Sequence, residues 1–332
     1  MLGHSQISFQ QVNNFVHEKV NQRSADIQKS IHAVVKLIQE ILKDVEIQEP
    51  RFIPTLMESN GRYEGFRVLS PDEYEVEFIT ASGYLSARKI RSRFQALIGQ
   101  TLEKPQFRDK CKLMPDSNDV KIRLYDKFVV QVVCAFRCNG IWPRSASHWP
   151  GPSIAWPSPE LVKEVRYEGF DLLMPTQSAS AASTSQNKQQ NPASSMEGDA
   201  WAISMANAED ILLGNHTTNR HKTYTILKTL RDRHLNFNGS PINNYIIKTL
   251  VLYECEKHSS DHEWQDFCLG DRVIGVLLQL VSCLQCRKCP HYFLSNLDLF
   301  RGKSPQLLEH SSKVTWNLVR NLLLCDRALE NL

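Results

Sequence analysis

The run Phe128-Val-Val-Gln-Val-Val-Cys-Ala-Phe136 constrains this chain most. It is apolar at odd and even positions alike, so a strand built from it must bury both of its faces. It therefore reads as a central strand. Val120-Lys-Ile-Arg-Leu124 alternates and precedes it across Tyr125-Asp126-Lys127, so the two runs read as a hairpin. A chain of 332 residues with 42% hydrophobic content can surround such a strand with a sizeable core, in one large or two modest domains.

The flanking segments supply the other layers. Residues 7–46 read as helix, because Ile27, Ile31, Val34, Val35, Ile38, Ile41, Leu42 and Val45 recur at helical spacing. Lys and Gln fill much of the other face, which suits a spine packed across a domain. Arg67-Val-Leu-Ser70 leads into a strand carrying Glu73 and Glu75. Glu77 to Leu97 reads as helix, with Ser82 or Ser86 near its start and Arg88, Lys89, Arg91 and Arg93 along it. Trp142-Pro, Trp149-Pro and Trp156-Pro punctuate a loop-rich connection. Residues 176–197 are polar and of low complexity, and read as an exposed flexible loop. Beyond Asp199 the pattern is helical, over 199–213, 222–236, 241–257, 269–285 and 305–329. Val273, Val276, Leu277, Leu280, Val281 and Leu284 form a clear apolar stripe. The expected division is a core over 1–212, N-terminal helix included, and a helical lobe over 213–332.

A net charge of +3 is too small to diagnose nucleic-acid binding. No run of 18 apolar residues suggests a membrane span, and no basic-then-apolar leader opens the chain. Nine cysteines without a secretory signal read as reduced intracellular thiols.

Three groups of residues carry chemistry. Glu73 and Glu75 are two apart on a strand, beside the turn-like Asn60-Gly-Arg-Tyr-Glu-Gly65. Carboxylates so placed can hold Mg²⁺ against a nucleotide triphosphate, although Glu-x-Glu is more often a solvated face. Two-metal phosphoryl transfer usually wants a third carboxylate from a neighbouring strand, and the polar residue there is Gln131, which carries no charge. The second group, Cys283-x-x-Cys286-x-x-Cys289-x-His291, offers four zinc-ligand types in nine residues. No second Cys-x-x-Cys accompanies it, so buried or half-buried thiols are the favoured reading and zinc is not expected. The third is the basic segment Asn219–His234. Its functional reading is a phosphate or polyanion clamp formed by Arg220, Lys222, Lys228, Arg231 and Arg233. Its bland reading is a solvated amphipathic helix.

Several long blocks resemble the Mab-21 (male-abnormal-21) family. They are Glu77-Phe-Ile-Thr-Ala-Ser-Gly-Tyr-Leu-Ser-Ala-Arg-Lys-Ile-Arg-Ser-Arg-Phe94, Cys138-Asn-Gly-Ile-Trp-Pro-Arg-Ser-Ala-Ser-His-Trp-Pro150, Leu227-Lys-Thr-Leu-Arg-Asp-Arg-His234, Tyr253-Glu-Cys-Glu-Lys-His258 and Cys283-Leu-Gln-Cys-Arg-Lys-Cys-Pro-His-Tyr-Phe-Leu294. The resemblance implies an α+β nucleotidyltransferase fold, similar to cyclic GMP-AMP synthase, with a mixed-sheet lobe followed by a helical bundle. It implies a role in animal development and cell-fate decisions, in the nucleus and/or cytoplasm. Position by position, Glu73 and Glu75 match the synthase's first two metal carboxylates, and Gln131 falls where its third, an aspartate, stands. Asn60-Gly61 fall where it has the phosphate-holding Gly-Ser. Lys228 matches a phosphate-contacting lysine, and Asn244-Tyr245 match a Ser-Tyr pair whose tyrosine stacks on a base. The stretch Gly214–His221, where the synthase has its zinc insertion, contains no cysteine, which argues against zinc and against synthase-style DNA sensing.

One departure matters. Family members carry a few dozen residues, strands included, between the equivalents of Val76 and Glu77. Their loss is expected to expose a sheet edge. The leading expectation is a regulator that works by binding, with weak Mg²⁺-nucleotide affinity and little or no turnover. The alternative is an active Mg²⁺-dependent nucleotidyltransferase using NTP substrates. A third reading is an interaction protein whose basic helical face takes single-stranded RNA or a protein partner. No membrane partner is expected.

Overall fold

The structure is a computed structural model that describes residues 7–54, 58–59, 62–63, 66–70, 73–80, 87–114, 120–152, 154–173, 201–214, 218–324 and 329; for the strands between 53 and 80 it describes backbone pairing. The expected loop over 176–197, the turn residues Asn60 and Gly61, and Ser82 and Ser86 lie outside the described residues. The chain packs as two compact units, each discontinuous in sequence. One comprises Ala25–Asn139 and Phe170–Ser204, and the other Met1–Ser24, Gly140–Gly169 and Met205–Leu332.

The first unit is built on a mixed sheet. Its strands are β1 (Phe52–Pro54), β4 (Phe66–Ser70), β5 (Glu73–Thr80), β6 (Cys111–Leu113), β7 (Val120–Leu124), β8 (Phe128–Cys138), β9 (Phe170–Leu173) and β10 (Ala202–Ser204). The short pair β2 (Glu58–Ser59) and β3 (Arg62–Tyr63) forms a separate ribbon. The main order is β1-β5-β8-β7-β6, with β4 also on β5, β9 on β8 and β10 on β9. The run apolar on both faces is indeed central: β8 pairs with β5 in parallel and with β7 and β9 antiparallel. The hairpin turn is primed, with φ of +53° at both Tyr125 and Asp126 and the Leu124 carbonyl accepting from the Lys127 N–H at 3.0 Å. That geometry matches the right-handed twist of the flanking strands.

Two helices cover one face of this sheet. The N-terminal helical run comprises α1 (Phe9–Phe15), a π-helical turn (Val16–Val20) and α2 (Asn21–Gln48). The predicted stripe on α2 is buried at Val34, Val35, Ile38, Ile41, Leu42 and Val45. It packs in one cluster with Phe94, Leu97 and Ile98 of α3 (Ala87–Leu102) and with Ile122, Leu124, Val130, Val132 and Cys134 of the sheet. Each such aliphatic side chain contributes about 1.5–3 kcal/mol by leaving water. At the end of α2, Asp44 accepts from the Thr101 hydroxyl at 2.8 Å and pairs with Lys104 next to α4 (Pro105–Arg108), which fixes the helix angle.

Two sequence expectations need correction here. Glu77 does not begin a helix: β5 continues to Thr80, and the helix starts at Ala87. The segment Glu77-Phe-Ile-Thr carries aromatic and β-branched residues that suit a strand, and the arginine-rich stretch after it drew the helical reading too far forward. Nor is β5 an exposed edge. β8 flanks one side of it, and β4 and β1 together flank the other. A smaller correction concerns 199–213, which opens with strand β10 before its helix.

The second unit is helical. Its elements are α1 with the π-helical turn that follows it, α5 (Pro159–Glu168), α6 (Ala206–Leu213), α7 (Asn219–Leu230) with a π-helical end (Arg231–Leu235), α8 (Asn244–Lys257), α9 (Leu269–Cys286) and α10 (Pro305–Leu324). The stripe of α9 is buried at Val273, Val276, Leu277, Leu280, Val281 and Leu284. The stretch Asp266–Cys286 is long and apolar enough to cross a bilayer by length and composition. Its burial, however, is that of a core helix. Glu254 of α8 is almost wholly buried and is met by His258 Nε2 at 3.3 Å, by Arg272 Nη1 at 3.7 Å and by the Gln279 amide. Such a carboxylate is tolerable because it is paired and hydrogen-bonded.

Gly275 of α9 faces that carboxylate. A Cβ there would lie against Glu254 Oε1 and 3.0 Å from its Cδ. Gly275→Ala should therefore cost about 1–3 kcal/mol through overpacking. Gly99 of α3 has open space around its Cβ position, so Gly99→Ala should be neutral or stabilise by about 0.5–1 kcal/mol. Thermal and urea unfolding of the two variants should show opposite signs.

Candidate functional site

The acidic pair sits on the central ladder. Glu73, Glu75 and Glu77 of β5 stand in parallel register with Val129, Gln131 and Val133 of β8. The structure thus sets Gln131 in register beside Glu75. Gln131 is half-buried, whereas Val130 and Val132 on either side of it face the core. On its other flank Gln131 is in register with Lys121 of β7, and Val129 with Arg123. The ladder crosses the Val76–Glu77 junction without interruption.

The second set of predicted residues belongs to the helical unit. Lys228 lies on α7, half-buried. Asn244 and Tyr245 open α8, whose N-cap Asn243 accepts from the Ile246 N–H at 2.9 Å. That cap starts the helix where it does. Asn244 Oδ1 is buried without a hydrogen-bond partner. It is a polar acceptor left open beside Tyr245.

Tyr245 is held by a network that the sequence did not announce. Its hydroxyl donates to Glu209 Oε1 of α6 at 2.6 Å and lies 2.6 Å from His291 Nε2. The tautomer follows from the other ring nitrogen. His291 Nδ1 accepts from the backbone N–H groups of Phe293 and Leu294, both at 3.1 Å, so the proton sits on Nε2 and is donated to the tyrosine oxygen. Burial pushes the His291 pKa below its usual 6.5, with the Glu209 charge opposing. Glu209 also faces Lys248 Nζ at 3.5 Å, and that ammonium pairs with Asp210 at 2.6 Å. Burial works against the charge on Lys248, yet the two carboxylates outweigh it and hold its pKa above the ordinary lysine value. Glu209 and Lys248 lie in helices with no motif spacing, so no local signal marks them, and His291 was marked only as a candidate zinc ligand beside the cysteines. The chain pins the tyrosine hydroxyl from both sides and leaves the ring half-buried.

The basic segment is not gathered into one exposed cationic face. Arg220 is stacked between Trp156 and Trp264, at 5.5 and 5.2 Å, and pairs with Asp261 at 2.8 Å. Arg231 donates through Nε and Nη2 to the Ile242 carbonyl and through Nη1 to Asp232. Lys222 lies 3.5 Å from Asp266. Arg233 is exposed. Three of these four cations thus brace the helical unit internally.

The cysteine group is only partly gathered, with the thiols of Cys283 and Cys289 in contact. Cys286 is exposed at the end of α9, Cys283 is half-buried and Cys289 is buried. His291, the fourth candidate ligand, commits both ring nitrogens to Tyr245 and to the backbone of residues 293 and 294. Among the described residues no group of three or more His, Cys, Asp or Glu side chains is placed to hold a metal ion.

Comparison with known proteins covers the whole chain. The Mab-21 protein nucleotidyltransferase domain matches residues 13–215, and the Mab-21 protein HhH/H2TH-like domain matches residues 219–317. The chain is 52% identical over 371 positions to "Protein male abnormal 21" of Caenorhabditis briggsae, and all of each chain is covered. It is 51% identical over 371 positions to the Caenorhabditis elegans protein of the same name, again across all of both chains. To "Protein mab-21-like" of Drosophila pseudoobscura pseudoobscura it is 48% identical over 360 positions, covering 97% of this chain and 96% of the relative. Since 371 positions span only 332 residues of this chain, at least 39 of them (371 − 332) lie opposite gaps in it.

Tyr245→Phe removes the one oxygen that satisfies both Glu209 and His291. It should cost roughly 2–4 kcal/mol in urea unfolding, because two buried polar groups lose their partner. The network also sets an acid limit. A histidine held below 6.5 when folded binds a proton first in the unfolded chain. Stability should therefore fall as pH drops through 6.5 towards the folded pKa. That part of the slope should be missing in His291→Gln, as stability measured from pH 7.5 to about 5.5 would show.

Proposed function

The chain belongs to the Mab-21 family, and from that premise we propose that it is a developmental regulator that binds nucleotide weakly and does not turn it over. The observation that carries this reading is Gln131 in register beside Glu75. Two-metal phosphoryl transfer needs carboxylates enough to hold both ions against the phosphates. An amide at the third position supplies an acceptor without charge, so metal affinity falls and the second ion is lost first. Mg²⁺ is thus a weak cofactor at most, held by Glu73 and Glu75.

The nucleotide-binding residues in this reading are Asn60 and Gly61 with the acidic pair in the first unit, and Lys228, Asn244 and Tyr245 in the second. What supports Tyr245 is its fixed hydroxyl: a ring held at its rim loses little freedom when a base stacks on its face. Asn244 adds an unpaired acceptor next to it. Arg220 and Arg231 are already committed to internal partners, which weakens the case for single-stranded RNA on α7 and favours a protein partner as the binding event that matters in the cell. The location that goes with this role is nucleus and/or cytoplasm. Synthase-style DNA sensing and structural zinc have no part in it.

The runner-up is an active Mg²⁺-dependent nucleotidyltransferase using NTP substrates. It is favoured by the retention of both Glu73 and Glu75 in one strand with a continuous ladder. The two readings separate cleanly. Incubating the purified chain with all four NTPs, Mg²⁺ or Mn²⁺, and single- or double-stranded nucleic acid should give no new product. A product that disappears in Glu73→Ala/Glu75→Ala would establish the runner-up. Gln131→Asp should raise Mg²⁺-dependent nucleotide affinity by about tenfold, since one further charge-assisted contact contributes about 1.4 kcal/mol or more.

A further inference from the structure

We infer that Lys121 and Arg123 form a fixed cationic binding surface for the polyphosphate of a nucleotide and stand in for the second metal ion. The inference rests on the nucleotide-binding reading and specifies how that site works. In β7 the burial pattern alternates: Val120, Ile122 and Leu124 are buried in the core, whereas Lys121 is half-buried and Arg123 exposed on the opposite face. That is the face of Gln131, because Lys121 pairs in register with Gln131 and Arg123 with Val129. The same two β8 residues are the register partners of Glu75 and Glu73. Two cross-strand rows result, Glu75–Gln131–Lys121 and Glu73–Val129–Arg123, each running from acid to base over a neutral centre.

Two strand spacings, about 10 Å, separate the acidic strand from the basic one. The long stems of lysine and arginine cover roughly half of that distance. A polyphosphate lying over Gln131 would therefore meet the two cations directly. Among the described residues neither Lys121 nor Arg123 has an ion-pair partner.

The arrangement runs against sheet stability. Arg123 stands directly opposite Lys112 of β6 in the antiparallel ladder, and like charges so placed repel. Lys112 finds relief in Asp126 at 3.1 Å. Lysine on β6 also serves the ordinary purpose of blunting an edge strand. β7 is not an edge, so edge protection accounts for neither Lys121 nor Arg123. Two cations in register beside the uncharged Gln131 and Val129 fit a site that neutralises phosphate with side chains.

The test is ATP binding to the full chain by calorimetry, in EDTA and in Mg²⁺. The wild type should bind ATP in EDTA, and Lys121→Gln/Arg123→Gln should weaken that binding at least tenfold. Lys121→Arg should retain it, and melting curves of each variant confirm that it is folded. Glu73→Gln/Glu75→Gln should bind ATP in EDTA as well as the wild type or better, because the acidic pair repels phosphate when no metal is present. Binding that requires Mg²⁺ and ignores the charge of residues 121 and 123 overturns the inference and leaves the nucleotide reading standing. No ATP binding under either condition overturns both.

Discussion

The parallel ladder between β5 and β8 is the constraint on which the nucleotidyltransferase unit depends. It pairs Glu73 through Ile79 with Val129 through Ala135 in unbroken register. The α2 and α3 stripes cover the face of Val130, Val132 and Cys134. Register then decides which side chains share a face. A slip of one residue would move Gln131 into the core and turn Val130 or Val132 outward, at the cost of burying an amide without a partner. The packing of the apolar positions thus fixes where the polar ones stand, and the acid-to-base rows over β8 are its consequence.

Much of this was legible in the sequence, for identifiable reasons. The period-3.6 stripe of α2, the hairpin around Tyr125 and the central position of β8 all come from local hydrophobic patterning, which single segments carry within themselves. The failures arose where a segment's state depends on a distant partner. Glu77-Phe-Ile-Thr80 is short enough to suit helix or strand, and pairing with β8 and β1 decided it. Residues 202–204 became a strand only because β9 offered them an edge. The Glu73, Glu75 and Gln131 set was legible as a resemblance, and its register is a structural result. Tyr245 was singled out, but Glu209 was not, and His291 was read with the cysteines and not with the tyrosine; the two converge on it from 36 and 46 residues away.

The helical unit shows why charge counts mislead. The segment 219–234 looks strongly basic, and in sequence it invites a polyanion. Arg220 is instead flanked by two tryptophans and paired with Asp261, and Arg231 closes onto the Ile242 carbonyl. A guanidinium suits such places because it is planar, stacks on aromatic faces and donates in a fixed fork. Lys121 and Arg123 of β7, where a simple alternating strand conceals them among apolar neighbours, have no ion-pair partner among the described residues. Whether a cation is available depends on what surrounds it, and neither spacing nor net charge encodes that.

The junction of Val76 with Glu77 has its own physical logic. Relatives carry at least 39 aligned positions that this chain lacks, and the resemblance places the missing residues at that junction. A sheet survives such a loss only where the two flanks continue the same strand in phase, because side chains alternate with a period of two. Val76 and Glu77 meet that condition. They pair with consecutive residues, Val132 and Val133, and the pairing continues to Ile79 with no shift. On its other side β5 is shared between β4, which takes its first half, and β1, which takes its second. The junction therefore falls where one edge partner gives way to another, the point at which a strand's outer hydrogen bonds are easiest to reassign. Joining the flanks there preserves the register that sets Glu75 beside Gln131.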